Sequence, residues 1–184
     1  MKKAYINVIS MAMLLAGMLP AGSLHAFDYS VPDERNNAAF FKTAEVVEWR
    51  SLEYAQQQAA KQGKAVLIFV EADWCGICRR MLREVFPVQE VQERIENKFV
   101  PVMINVDSRK QVFFNGETYT HREFARSINV SAVPTLLFVN PDGEVLAHQT
   151  GFVSTDRMTA LLDYIVSEKF GSHSFEEFLK EMGG

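Results

Sequence analysis

The sequence has few cysteines, no basic run and no apolar run of membrane-spanning length, and each shortage argues against a class of protein. With 2 cysteines among 184 residues, the chain lacks the second cysteine pair of a typical zinc site, which needs about four ligands. The net charge of −4 and the scattered lysines and arginines argue against a nucleic-acid partner. The apolar stretch at residues 8–19 is shorter than the ~20 residues that a membrane-spanning helix needs.

The N-terminal residues are instead typical of an export signal. Lys2 and Lys3 give a positive start, the apolar stretch follows, and Pro20 ends it before the small residue Ala26. This order predicts a cleaved secretory signal peptide over residues 1–26; an uncleaved membrane anchor is the alternative. We therefore expect the rest of the chain to be exported to a compartment where disulfides persist.

Hydrophobic patterning predicts one domain of alternating helices and strands. Helices are predicted over residues 51–62, from about 75 to 98 with a break or kink at Pro87, over 120–127 and 155–167, and after Ser174. Strands are predicted over residues 65–70, 100–106, 135–139 and 144–149. Helices and strands alternate in the first part of the chain, and a β-hairpin follows towards its end. This order predicts an α/β fold, in which a mixed central β-sheet is flanked by helices on both faces.

A further small hairpin is predicted within residues 111–119. Asn115 and Gly116 lie between two short runs that contain aromatic residues, which is typical of a two-residue hairpin turn. Such an insertion either packs on the core or lies near the functional site and selects partners.

Both cysteines lie together, within residues 73–78, after a predicted buried strand and at the start of a helix. Cys75, at the helix N-terminus, faces unpaired backbone N–H groups and the positive end of the helix dipole. These stabilise the thiolate, which is the reactive form of cysteine. Cys78 lies one turn later, where it can attack a mixed disulfide and release the product. Cys75 is therefore the predicted nucleophile and Cys78 the predicted resolving thiol.

Three other interpretations of the cysteine pair are weaker. A structural disulfide that closes so short a loop removes little entropy from the unfolded chain. A metal site lacks ligands, since neither His121, His148 nor His173 has ligand spacing to the cysteines; the first two are expected at the surface. Inert buried thiols do not fit a strand-to-helix junction.

Residues 67–78, which end in Cys75-Gly76-Ile77-Cys78, resemble the active-site segment of the thioredoxin superfamily. Val133-Pro134-Thr135 resembles the cis-proline segment of that family, and Gly151-Phe152 resembles its following glycine. The resemblance covers about residues 50–170. Two periplasmic branches are similar: the thioredoxin-like protein of sulfur-oxidation gene clusters and the C-terminal domain of the membrane thiol:disulfide interchange reductase. Residues 107–119 and the tail after residue 170 are more similar to the first branch.

The resemblance implies a periplasmic protein that reduces protein disulfides and receives electrons from a membrane thiol:disulfide electron donor. It implies that Trp74 packs beside the nucleophile, that Pro134 is cis, and that the backbone of Val133 pairs with an extended substrate. Gly76 and Ile77, between the cysteines, would face the substrate. We expect no cofactor, no metal, no nucleic acid and a monomer.

The sequence departs from the family pattern close to the cysteines. Many thioredoxins carry a buried Asp six residues before the first cysteine, where this chain has Phe69. Glu71 is the candidate acid or base near Cys78, and the alternative is a solvated residue at the end of a strand. Arg79 and Arg80, after the second cysteine, are expected to be solvated.

Two functional alternatives stay open beside the reductase. An oxidase uses the same thiol chemistry in the opposite direction, which depends on the reduction potential and the partner. A copper-handling chaperone would hold Cu(I) between the two thiolates.

The expected organisation has four parts. These are the signal peptide at residues 1–26, an N-terminal arm at 27–49, a thioredoxin-like domain at 50–170 and a C-terminal helical tail at 171–184.

Overall fold

The computed structural model describes residues 47–167 and 169–183. The predicted signal peptide and residues 27–46 of the predicted arm lie outside the described residues. The helices are α1 Leu52–Gln62, α2 Gly76–Glu84, α3 Gln89–Lys98, α4 His121–Ser127, α5 Thr155–Ile165 and α6 Phe175–Met182. The strands are β1 Ala65–Glu71, β2 Phe99–Asn105, β3 Gln111–Phe114, β4 Glu117–Thr120, β5 Thr135–Val139 and β6 Val145–Thr150. Of the described helices, none has the length and apolar character needed to cross a bilayer.

Four strands form a mixed sheet in the order β2-β1-β5-β6. β1 runs parallel to β2 and antiparallel to β5, and β6 pairs antiparallel with β5. The carboxyl ends of β1 and β2 therefore share one edge of the sheet with the amino end of β5. This arrangement confirms the predicted mixed sheet and the predicted final hairpin.

Helices cover both faces of the sheet because β1 sends alternate side chains into two cores. Leu67 and Phe69 pack with residues of α2, α3, α5 and α6. Val66, Ile68 and Val70 pack on the other side with residues of α1, α4 and the β3–β4 hairpin. All five side chains are fully buried, which explains why the strand reads as a continuous apolar run rather than an alternating one.

Local signals in the sequence set the helix ends. Thr120 and Ser174 each form a reciprocal capping box with the glutamate three residues later, as predicted. Pro87 lies between the end of α2 and the start of α3, so the predicted break is confirmed.

The small hairpin predicted around Asn115 and Gly116 is also confirmed. Both turn residues have positive φ, 49° and 88°, the geometry of the turn that best matches strand twist. Val112 and Phe114 are buried, and the Phe114 ring lies 5.2 Å from that of Phe124 in α4. The hairpin therefore packs on the α1/α4 core.

Candidate active site

The two cysteines are joined in a disulfide at the start of α2, with their Cα atoms 5.2 Å apart. Cys75 is the N-cap residue, and its Sγ accepts a hydrogen bond from the backbone N–H of Cys78 at 3.1 Å. The first turn of α2, all of which is described, carries no acidic side chain. The positive end of the helix dipole is therefore directed at the Cys75 sulfur without a competing carboxylate on that turn.

The two cysteines differ in their access to solvent. Cys75 is 4% exposed, whereas Cys78 is fully buried. Trp74 and Ile77 flank them with exposed apolar surface, at 70% and 51% exposure. Gly76, the first residue of α2, is exposed as well. Of the two cysteines, Cys75 is therefore the one with some exposure to solvent.

The loop before β5 lies at the same edge of the sheet. Thr135 is paired with Val70 near the end of β1, so Val133 and Pro134 come next to the turn that carries Cys75. The Val133–Pro134 peptide bond is cis. Pro134 is buried, and its carbonyl accepts a hydrogen bond from the Gly151 N–H at 2.8 Å. Val133 is half-buried and lines, together with Trp74, a cavity of about 170 Å³.

A polar network fastens the turn between β1 and α2. The backbone N–H of Asp73 donates to Asp107 Oδ2 at 3.1 Å, and Asp73 Oδ1 accepts from Asn105 Nδ2 at 2.5 Å. Arg79 donates from α2 to the Asp73 carbonyl at 2.6 Å. The turn is thereby tied to the end of β2, to the loop that follows it and to α2, which fixes the direction in which Cys75 points.

Glu71 ends β1 beneath this turn and is buried, at 8% exposure. The interpretation of Glu71 as a solvated residue at a strand end is therefore wrong. Glu71 is the last residue of β1, but it is still paired in register with Asn105 of β2. Burial raises the pKa of the Glu71 carboxyl, and the nearby Asp73 raises it further, while a hydrogen bond with Asn105 opposes the shift.

His121 is also buried, at 8% exposure, so the prediction of a surface position is wrong. It is the first residue of α4, and its Nδ1 lies 3.1 Å from the backbone N of Asn105. Burial lowers the pKa of the imidazole. Its position in a short helix beside polar residues gave no sign of burial, which arises from packing against β2.

Asn105 is absent from the sequence-based prediction of the site, although it joins Glu71, Asp73 and His121. The signal that could have identified it is its position as the last residue of a buried strand parallel to β1. Polar residues at the carboxyl ends of adjacent parallel strands meet at one edge of the sheet.

Arg79 and Arg80 are exposed, as predicted. Arg80 pairs with Glu84 at 2.7 Å, and its guanidinium lies 4.5 Å from the centroid of the Phe152 ring. Phe152 is 38% exposed. The surface around the disulfide thus combines exposed aromatic and aliphatic side chains with arginines.

Residues 52–166 match the family model of a thioredoxin-like domain. The chain is 29% identical over 115 residues to the thiol:disulfide interchange protein DsbD of Actinobacillus pleuropneumoniae, covering 61% of this chain and 18% of that protein. It is 25% identical over 171 residues to DsbD of Tatumella citrea, covering 90% of this chain and 27% of that protein. The chain thus spans about a quarter or less of the length of these curated relatives.

Solved structures show the same fold. A thioredoxin-fold protein from Helicobacter pylori superposes with a TM-score of 0.56 at 19% identity, covering 65% of this chain and 80% of that one. A thioredoxin from Thermus thermophilus gives a TM-score of 0.55 at 23% identity, covering 69% and 92%. The predicted thioredoxin fold is confirmed. The interchange proteins correspond to the second of the two branches that the sequence resembles. The greater similarity of residues 107–119 and of the C-terminal tail to the sulfur-oxidation branch stays a prediction.

Replacing Glu71 by Gln should stabilise the oxidised protein at neutral pH, because it removes a carboxylate whose ionised form burial disfavours. The raised pKa means that the folded state holds the proton more tightly than the unfolded state. The free energy of unfolding of the parent, compared with that of the variant, is therefore highest below pH 4.5, the ordinary pKa of a glutamate. This advantage of the parent is lost as the pH rises through the pKa that Glu71 has in the folded state. Urea unfolding of both proteins from about pH 4 to about pH 8 measures this difference.

Glu96→Gln, at an exposed position in α3, is the matched control for removing one carboxylate. A stability difference between the parent and Glu71→Gln that stays constant with pH would contradict the raised pKa.

Proposed function

Because this chain belongs to the thioredoxin-like domain family, we propose that it is a thiol–disulfide oxidoreductase that reduces the disulfides of exported proteins. The observation that carries this proposal is the position of Cys75. Cys75 is the more exposed of the two cysteines, and its sulfur caps α2 and accepts a backbone hydrogen bond. A sulfur held in this way is stabilised as a thiolate and can be reached by a substrate disulfide.

In the first step, the thiolate of reduced Cys75 attacks one sulfur of the substrate disulfide. A bond forms between Cys75 Sγ and that sulfur, the substrate S–S bond breaks, and the other substrate sulfur leaves as a thiolate. The Cys78 N–H, which donates to Cys75 Sγ at 3.1 Å in the oxidised protein, also stabilises the thiolate before attack.

In the second step, Cys78 attacks Cys75 Sγ and releases the second substrate sulfur. The Cys75–Cys78 disulfide forms, so two electrons pass from the protein to the substrate. Cys78 is fully buried and must lose its proton away from bulk water. Glu71 is the proposed acceptor, because it is the buried carboxylate that ends β1 and its raised pKa makes it a stronger base than an exposed one.

The substrate is proposed to bind as an extended strand across the turn. The backbone of Val133 would pair with it, in the manner of strand addition, while Pro134 holds that loop against the end of β1. Trp74, Gly76 and Ile77 would contact the substrate on either side of Cys75, since all three are exposed beside the disulfide. Apolar contact surface here suits unfolded or partly folded protein disulfides.

The reducing direction is supported by the charges around the turn. Glu71 ends β1, Asp73 lies in the turn before Cys75, and Asp107 accepts a hydrogen bond from that turn. The pKa of Glu71 is raised by burial first, and then by Asp73 and Asp107. Ionised carboxylates disfavour a further thiolate, and a less stable thiolate favours the disulfide form of the protein. A protein that prefers its own disulfide gives electrons to its substrates.

We propose the periplasm as the compartment and a membrane thiol:disulfide electron donor as the source of electrons. The predicted signal peptide at residues 1–26 and the likeness to thiol:disulfide interchange proteins support this placement. After each turnover the Cys75–Cys78 disulfide must be reduced again, so the donor has to supply two electrons to it.

Cys75→Ser should abolish the reduction of insulin disulfides, because the attacking sulfur is lost. Cys78→Ser should instead accumulate a mixed disulfide with the substrate, because nothing displaces it. A turbidity assay measures the first effect, and non-reducing electrophoresis measures the second. The double variant is the control and should form no adduct; insulin reduction that survives Cys75→Ser would refute the proposal.

In a single turnover, Glu71→Gln should slow by about 100-fold at neutral pH the step in which Cys78 displaces the product from the Cys75 mixed disulfide, the scale of one general base. The rate of the variant should then rise with pH as Cys78 loses its proton unaided. Stopped-flow release of a fluorescent thiol from about pH 5 to about pH 9 measures this. Glu84→Gln, at an exposed position in α2, controls for the lost charge, and parental kinetics in Glu71→Gln would remove Glu71 from the mechanism.

A further inference from the structure

We propose that Arg126 makes the protein selective for disulfides that have an Asp or Glu close to the substrate cysteine. This inference rests on the proposed reductase function and concerns the cavity of about 170 Å³ beside Trp74. The cavity lies between the turn that carries Cys75, the last turn of α4 and the loop that ends at Val133. A substrate paired with Val133 would therefore place a neighbouring side chain at this cavity.

The cavity is lined by apolar side chains and by two arginines. The apolar lining residues are Trp74, Val106, Ala125, Val130, Ala132 and Val133. Arg122 and Arg126, both from α4, supply the charged groups, and Ser131 is the remaining polar residue. No carboxylate lines the cavity within the part of the chain that the structure describes. Its charge is therefore complementary to an anionic side chain.

The two arginines differ in the hydrogen bonds and ion pairs that their side chains make. Arg122 donates to the Val106 carbonyl and to Asp107 Oδ1, both at 3.1 Å. Arg126 is exposed, and among the described residues no carboxylate lies within 4.0 Å of its guanidinium. Glu123, one turn earlier on α4, directs its carboxylate to Thr120 in the capping box. Arg126 thus makes no ion pair among the described residues, and its charge lowers the pKa of Glu123 less than the hydrogen bonds from Thr120 do.

A carboxylate is the group that an arginine side chain at such a cavity binds best. The guanidinium offers parallel N–H donors that match the two oxygens of a carboxylate. In an extended substrate each residue advances about 3.3 Å and successive side chains point to opposite faces. A residue close to the substrate cysteine could therefore place its side chain at the cavity, which is lined by Trp74, the neighbour of Cys75. The aliphatic part of an Asp or Glu side chain would contact the apolar lining residues.

The test uses two peptide disulfides that differ only in Glu or Gln beside the cysteine, and it compares the kcat/KM ratio of the pair. The parent should prefer the Glu peptide by about threefold to fivefold, the scale of an exposed ion pair, and salt should reduce this preference. Arg126→Gln should bring the ratio to about one, and Arg126→Glu should invert it. Lys61→Gln, which removes one positive charge from the last turn of α1, should leave the ratio unchanged.

The outcomes separate this inference from the proposed function. If Arg126→Gln keeps the parental ratio, or if Lys61→Gln loses it equally, Arg126 does not select the substrate, even though both peptides are reduced. If the parent reduces neither peptide, the proposed reductase function fails instead. Because each ratio compares two substrates of one protein, a partial loss of folded protein does not change it.

Discussion

The burial of β1 on both faces is the constraint on which the rest of the structure depends. Alternate side chains of this strand, from Val66 to Val70, enter two separate cores and are fully buried. The strand therefore has one position and one register relative to β2 and β5. The position of β1 also fixes the position of the turn that follows it. Cys75 therefore lies at the start of α2, at a fixed place on the edge of the sheet.

Two opposing electrostatic influences meet at that turn. The start of α2 and the Cys78 N–H stabilise negative charge on the Cys75 sulfur. The carboxyl groups of Glu71 and Asp73, which contact Asn105 at the end of β2, would when ionised oppose a further negative charge nearby. Under the proposed reductase function, the first influence would promote attack by Cys75 and the second would favour the disulfide form of the protein. In that account the network around Asn105 would act on the cysteine pair through the position of Glu71 and Asp73.

The sequence predicted those features that depend on neighbouring residues. The buried strands, the break at Pro87, the capping boxes at Thr120 and Ser174 and the hairpin turn at Asn115-Gly116 each have a local signal, and each is confirmed. Features that depend on packing between distant segments were not predictable in the same way. The burial of Glu71 and His121 and the joining role of Asn105 arise only when β1, β2 and α4 meet. The cavity at Arg126 has the same origin, because its walls come from the Trp74 turn, α4 and the loop before β5.

The reduction potential of the Cys75–Cys78 pair tests the central claim most directly, because it decides the direction of electron flow. It is measured by alkylating the thiols after equilibration in dithiothreitol or glutathione buffers of graded potential. A value near that of thioredoxin, about −270 mV, is the predicted result. A value near about −120 mV would contradict the account and make the protein a donor of disulfides.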